Sequence, residues 1–220
     1  MKLSFFCMIA SLFALSASEA ATKRVALVFD DGPVPEMAPR LLAILQEKSV
    51  KATFAQVAKN VETHPETSLA ILAAGHEIVN HSYEHRDVDT LDDEELRREI
   101  AGAQERMTEV LGVAPKLYWA PYLKLNDRVR AAVSEAGIVP LETSPIVVSM
   151  DYDTSVSADE IERRSTTGVQ DGAVILFHEW REETVERLPS ILDSLKEQGC
   201  EFLTFSELAK VRAAMADERG

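Results

Sequence analysis

The sequence predicts an α/β chain, a small or incomplete (β/α) barrel of about seven to eight strands in a single domain. Three observations carry this. Short apolar runs alternate along the whole chain with segments of helical period. The connections between them are a few residues long, with no repeats and no linker. The length, 220 residues of which 46% are hydrophobic, suits one substantial core and is too little for two comfortable domains. A doubly wound open sheet is the alternative, but the first strand lacks the glycine-rich turn of that class.

The first strand is the clearest element. Residues 25–29, Val-Ala-Leu-Val-Phe, are apolar without alternation, as in a strand buried on both faces. Asp30 and Asp31 close it, and Gly32-Pro33 turns the chain away. A helix follows over residues 39–48, with Leu41, Leu42 and Leu45 on one side, then a strand over 50–54. Residues 60–64 read as a loop, and Pro65 opens a helix that Gly75 ends. A third strand spans 77–79. Asp92 caps a long charged helix reaching about Leu111, with acids in the first turn where the helix dipole favours them. A fourth strand covers 117–120, and Asn126 caps a helix to Ala136. The rest reads as a strand at 146–150, a short helix at 159–164, a strand at 173–177, a helix at 184–198 despite Pro189, and a strand at 202–204. Ser206 is the expected cap of a final helix.

The amino terminus reads as an export signal: Met1-Lys2 is a short positive start, residues 3–15 are mostly apolar, and Ser18-Glu19-Ala20 presents small residues for cleavage after Ala20. That leaves residues 21–220 as the folded domain, exported and without an integral membrane anchor, since no apolar run is long enough to be one. Cys7 lies too early in the apolar run for a lipoprotein cysteine, so Cys200 is the single thiol left after processing and no internal disulfide is expected. The formal net charge of −14 is unchanged by cleavage, which removes Lys2 and Glu19. Nucleic acid and anionic membrane surfaces are therefore poor partners. A monomer is expected.

The polar chemistry falls at strand ends. Asp30 and Asp31 follow the first strand, His81 and His85 the third, Pro121-Tyr122 the fourth, Asp151 and Asp153 the next, and His178 the strand ending at Phe177. In a parallel barrel these points share the C-terminal mouth, where such folds keep their active sites. The two aspartates leave a strand in opposite directions, so one can hold a metal while the other faces a substrate or an attacking water. His81 and His85 have the H-x-x-x-H spacing that places two imidazoles on one side of a helical turn. With Asp31 they make two nitrogens and one carboxylate, the ligand count of a catalytic zinc site with open positions. His178 is a candidate general acid near neutral pH. His64 and His76 read as ordinary surface residues.

Phe29-Asp30-Asp31-Gly32, His81-Ser82-x-x-His85 and Leu176-Phe177-His178 resemble the first, second and fifth motifs of the polysaccharide deacetylases, the NodB-homology proteins of carbohydrate esterase family four. The resemblance runs from about Arg24 to Phe205. It implies a distorted (β/α) barrel and metal-dependent removal of acetyl groups from N-acetylglucosamine polymers such as chitin-type oligomers or peptidoglycan, or of O-acetyl groups from xylan. By the same resemblance Asp30 is the base and His178 the acid. Asp31, His81 and His85 hold one divalent metal, zinc first, with cobalt, nickel or manganese as alternatives. The backbone N–H of Tyr122 would stabilise the oxyanion, and Trp119, Pro121, Tyr122 and Trp180 are the expected contacts on the substrate side.

Two motifs depart from the family pattern. The third, normally Arg-x-Pro-Tyr, is Trp119-Ala120-Pro121-Tyr122, so the arginine that tethers the catalytic aspartate is missing. Arg86 is the expected replacement beside Asp30, Lys124 the second candidate, and Arg163 and Arg164 lie farther off. The fourth motif lacks its tryptophan, and either Asp151 or Asp153 could orient His178. An O-acetyl esterase and a non-catalytic glycan-binding protein are the alternatives these departures leave.

Overall fold

The computed structural model describes residues 22–142 and 145–217; the expected signal segment and Cys7 lie outside the described residues. The chain alternates β1 (Lys23–Gly32), α1 (Ala38–Glu47), β2 (Thr53–Gln56), α2 (Ala58–Thr63), α3 (Pro65–Ala73) and β3 (Glu77–Asn80). The long charged helix follows in three parts, α4 (Asp93–Arg97), a π-helical turn (Arg98–Gly102) and α5 (Ala103–Leu111). Then come β4 (Leu117–Tyr118), α6 (Asp127–Glu135), β5 (Val139–Pro140), β6 (Ile146–Val148), α7 (Ala158–Thr166), β7 (Val174–His178), α8 (Glu182–Glu197), β8 (Cys200–Leu203) and α9 (Phe205–Asp217).

All pairings are parallel and the sheet runs β5-β4-β3-β2-β1-β7-β6, with β8 pairing the first residues of β1. It is a curled half-barrel in one domain. Every β1 residue from Val25 to Phe29 is fully buried, which is why its sequence shows no alternation. Val25, Leu27 and Phe29 face the helices, with the Phe29 ring stacked between Phe54 (5.3 Å) and Phe177 (5.6 Å). Ala26 and Val28 face the barrel interior with Ala55, Val79, Leu176 and Trp119, and Phe205 and Leu208 of α9 join that inner cluster. Asp30 continues the inner row, so its carboxylate emerges at the mouth.

Several local expectations are corrected. Residues 60–64 are not a loop: α2 covers most of them, anchored by buried Ala58 and Val61. Ser206 does not cap α9. Thr204 does, its Oγ1 accepting from Glu207 N while the Glu207 carboxylate accepts from Thr204 N (2.8 Å), and Ser206 instead bonds Glu77. His76 is no surface residue: it is 7% exposed, and its Nδ1 accepts the Ala52 N–H at 3.2 Å. Asp92 and Asn126 cap as expected, Asp92 in a reciprocal capping box with Glu95.

Candidate active site

Asp30 and Asp31 are neighbours in sequence with different surroundings. Asp30 is 4% exposed; its Oδ2 accepts the Trp119 indole N–H at 2.8 Å, and its Oδ1 is buried with no hydrogen-bond partner. At Asp31 the backbone swings to a φ of 67°, carrying that side chain off the inner row. The Asn60 side-chain amide holds the Asp31 carbonyl at 3.1 Å, and the Trp180 indole donates to Asp31 Oδ2 at 3.1 Å. Asp31 Oδ1 then faces His81 Nε2 at 3.5 Å and His85 Nε2 at 3.3 Å.

The two histidines are held from behind. His81 Nδ1 lies 2.7 Å from the Trp119 carbonyl, which can only accept, so Nδ1 carries the proton and Nε2 presents a lone pair. That Nε2 is buried without a partner of its own. The loop between the histidines is pinned by Asn80, which accepts from Ser82 N, by Ser82 Oγ, which accepts from His85 N, and by Glu99. Glu99, 5% exposed on the π-helical turn, accepts from both Tyr83 N (3.2 Å) and Glu84 N (3.0 Å). Asp31, His81 and His85 bring their ligand atoms within 4.8 Å of one another. Orphaned lone pair, carboxylate oxygen and second imidazole together fit a divalent cation, and the Trp119 carbonyl on His81 Nδ1 is a bond of the kind that orients a metal-binding histidine.

His178 is the register partner of Asp30 on the adjacent strand β7. Its Nδ1 meets Asp151 Oδ1 at 2.7 Å, while Asp151 Oδ2 accepts from His178 N (2.8 Å) and from Thr184 Oγ1 (2.7 Å). Asp151 is fully buried, so that geometry is fixed. Asp153 accepts only local bonds from Ser155, and of the two candidates Asp151 is the one that orients His178.

The charges follow the surroundings. Burial pushes the Asp30 carboxyl up to about 6, against the pull of His81 and His178. Burial also acts to raise Asp31, but the neighbouring His81 and His85 imidazoles and the Trp180 indole N–H hold it well below the usual range. Burial opposes the His178 imidazolium, and the Asp151 bond with the charges of Asp151, Asp30 and Asp31 outweighs it, raising its pKa.

Asp30, Asp31, His85 and His178 line one cavity of about 540 Å³. Its walls are Tyr122 and Leu123 on one side and Val148, Met150, Tyr152, Leu176 and Trp180 on the other. Tyr122 packs against His85 and Tyr152 against His178 (ring centroids 4.7 and 5.9 Å), and both are largely exposed. Six of the seven non-glycine residues with positive φ among those described, namely Asp31, Ser82, His85, Tyr122, Leu123 and Met150, sit at this mouth. Such backbone is unfavourable for these residue types and persists where surrounding bonds over-determine it.

The model of the family described as polysaccharide deacetylase matches residues 17–141. The chain belongs to the polysaccharide deacetylase family. It is 31% identical over 186 residues to the peptidoglycan-N-acetylglucosamine deacetylase PgdA of Listeria monocytogenes, a match covering 84% of this chain and 39% of that protein. The chain thus spans about two-fifths of that relative's length. Among solved structures, the peptidoglycan deacetylase PdaC from Bacillus subtilis superposes with a TM-score of 0.81 at 28% identity, covering 90% of this chain and 96% of that one. The protein BA3943 from Bacillus anthracis, described as a family pseudoenzyme, gives 0.78 at 26% identity over 86% of this chain and 66% of that one.

In this deacetylase fold the expected replacement for the missing arginine is not a cation. Arg86 pairs with Glu95 at 3.0 Å, and Lys124 with Asp87 and Asp89. Arg86 is drawn to α4, and Lys124 to the segment that follows the metal-site loop. Arg163 and Arg164 pair with Glu160. The donor on Asp30 is Trp119 itself, which occupies the arginine's place in the motif. Trp119 is fully buried and Pro121 is buried too, so neither forms the cavity wall that Tyr122 and Trp180 do. Glu99 and Thr184 gave no sequence signal: one is lost in a run of charges, the other in a helix start. Glu179 is the third residue missed. It is fully buried, its Oε1 accepting Val34 N at 2.8 Å and its Oε2 so close to Gly32 that a Cβ there would clash.

Proposed function

We propose that this chain is a metal-dependent deacetylase of N-acetylglucosamine polymers, peptidoglycan or chitin-type oligomers, acting outside the cytoplasm after cleavage near Ala20. The observation that carries the reading is the pairing of Asp30 with His178. They sit side by side on adjacent strands beside the cluster of Asp31, His81 and His85. A glycan-binding protein needs neither a buried carboxylate with a free oxygen nor a histidine fixed on a buried aspartate.

Asp31, His81 and His85 would hold one divalent ion, zinc first, with cobalt, nickel or manganese as alternatives; bound, it would polarise an acetyl carbonyl and lower the pKa of water. Asp30 Oδ1, its partner oxygen tied to Trp119, accepts a proton from the attacking water. His178, its Nδ1 committed to Asp151, has Nε2 to protonate the amine as the carbon–nitrogen bond breaks and acetate departs. The Tyr122 N–H, on a left-handed turn at the cavity edge, donates to the carbonyl oxygen as it gains charge. The exposed rings of Tyr122 and Tyr152 offer sugar rings a surface to pack on.

The neutral donor at position 119 favours one second reading, an O-acetyl esterase, because an alkoxide leaves more readily than an amine and asks less of the base. Acetate release from chitin oligomers, peptidoglycan and acetylxylan, with and without a chelator, separates them. Chelator-sensitive release from an N-acetylated polymer is the expected result. Release from acetylxylan alone would favour the esterase, and release from none would leave a glycan-binding protein.

A further inference from the structure

The chain has two tryptophans, and both indole N–H groups point at the two acids that end β1. Trp119 donates to Asp30 Oδ2 at 2.8 Å and Trp180 to Asp31 Oδ2 at 3.1 Å. Each carboxylate therefore has one oxygen fixed by an indole and the other left for chemistry. On Asp30 the remaining oxygen is the buried, unpartnered Oδ1, and on Asp31 it is the Oδ1 that faces His81 and His85. A carboxylate rotates readily about its last torsion, so fixing one oxygen also fixes the direction of the other.

Trp119 is placed to do this rigidly. It is fully buried, its ring meets the edge of Phe205 at 6.1 Å, and its carbonyl also holds His81 Nδ1 at 2.7 Å. One residue thus touches both acid and imidazole. Its donor is neutral, whereas the arginine of the family motif would set a full positive charge beside Asp30. The indole orients Asp30 without cancelling negative charge that the cation would feel.

We propose that Trp119 and Trp180 are a pair of neutral positioning residues, Trp119 aiming Asp30 at the attacking water and Trp180 aiming Asp31 at the metal. The proposal rests on the site roles given above, and its test is arranged so that the two can fail separately. Protein labelled with nitrogen-15 shows two indole signals, assigned with Trp119→Phe and Trp180→Phe. Asp30→Asn should move the Trp119 signal, and Asp31→Asn or added zinc chloride the Trp180 signal. Benzothienylalanine, which keeps the bicyclic shape but replaces the ring N–H with sulfur, then removes each donor alone. At position 180 it should weaken zinc affinity, read by competition with a chromogenic chelator, by roughly ten- to a hundredfold, the usual effect of losing an outer-shell partner. At position 119 it should leave zinc affinity and KM alone and lower kcat by roughly ten- to a hundredfold, as misaimed groups do. A position-180 isostere that binds zinc as the parent does, an indole signal indifferent to its own aspartate, or parental kcat at position 119 would overturn the proposal. A parent releasing no acetate, with spectra and zinc titrations as described, would uphold the Trp180 role and the Trp119–Asp30 bond but overturn the part in which Trp119 aims a base at water, and remove the deacetylase reading.

Discussion

Asp30 and Asp31 differ by one position and by almost everything else. One stays on the inner row of β1 and is buried; the other turns out through a left-handed backbone to face two imidazoles. That separation predicts separable variants. Asp30→Asn and His178→Ala should each keep the metal, measured by elemental analysis, and lose roughly a hundred- to ten-thousand-fold in turnover, the range for a placed proton-transfer group. His81→Ala with His85→Ala should lose the metal while the circular dichroism spectrum stays parental. Asp151→Asn should cost kcat toward the lower end of that range, about a hundredfold, because the one amide oxygen would serve His178 N and Thr184 Oγ1 and the amide NH2 would then face His178 Nδ1. Asp153→Asn should change little, since its bonds are to Ser155 alone. Parental kcat in Asp151→Asn would detach that carboxylate from the chemistry.

At the scale of elements, the strands that deliver the site were legible because their residues are apolar on both faces and stop at a polar group. β1 and β7 show this plainly, and so Asp30, Asp31 and His178 could be placed at a common mouth. The same rule missed α2, six residues with only Ala58 and Val61 as anchors and no side-chain cap. It also missed β5, two residues long with a proline. The cation sought for Asp30 was misread because local pattern cannot show that Arg86 and Lys124 are already held by Glu95, Asp87 and Asp89. The π-helical turn was invisible for a related reason: one extra residue per turn leaves no compositional mark, yet it brings Glu99 under the loop joining the two histidines. Glu99→Ala should leave two N–H groups unpaired and cost about 1–3 kcal/mol in urea unfolding, with a matching fall in metal affinity. Glu99→Gln, which keeps an acceptor, should be much milder.

At the scale of the molecule, two buried ionisable groups with no part in the proton transfers set opposite pH trends. Burial, with Lys51 nearby, lowers the folded pKa of His76 from 6.5 to about 4. The unfolded chain binds the extra proton, so this contribution is present above 6.5 and is lost as pH falls toward 4. Burial raises Glu179 from 4.5 to about 7, so its contribution is present below 4.5 and is lost as pH rises through 7. Thermal melts across pH 4–8 should therefore show His76→Gln gaining on the parent as pH falls and Glu179→Gln gaining as pH rises. Parallel profiles would contradict both assignments. No helix among the described residues is long and apolar enough to cross a membrane, and the cavity lined by Asp30, Asp31, His85 and His178 opens at the strand ends. The most direct measurement of the central claim is a zinc titration of chelator-stripped protein against acetate released from N-acetylated peptidoglycan or chitin oligomers. The account predicts no release without metal and a rate that climbs to a plateau at one ion per chain. Full release from the stripped protein, or an Asp31→Asn variant following the parental curve, would contradict it.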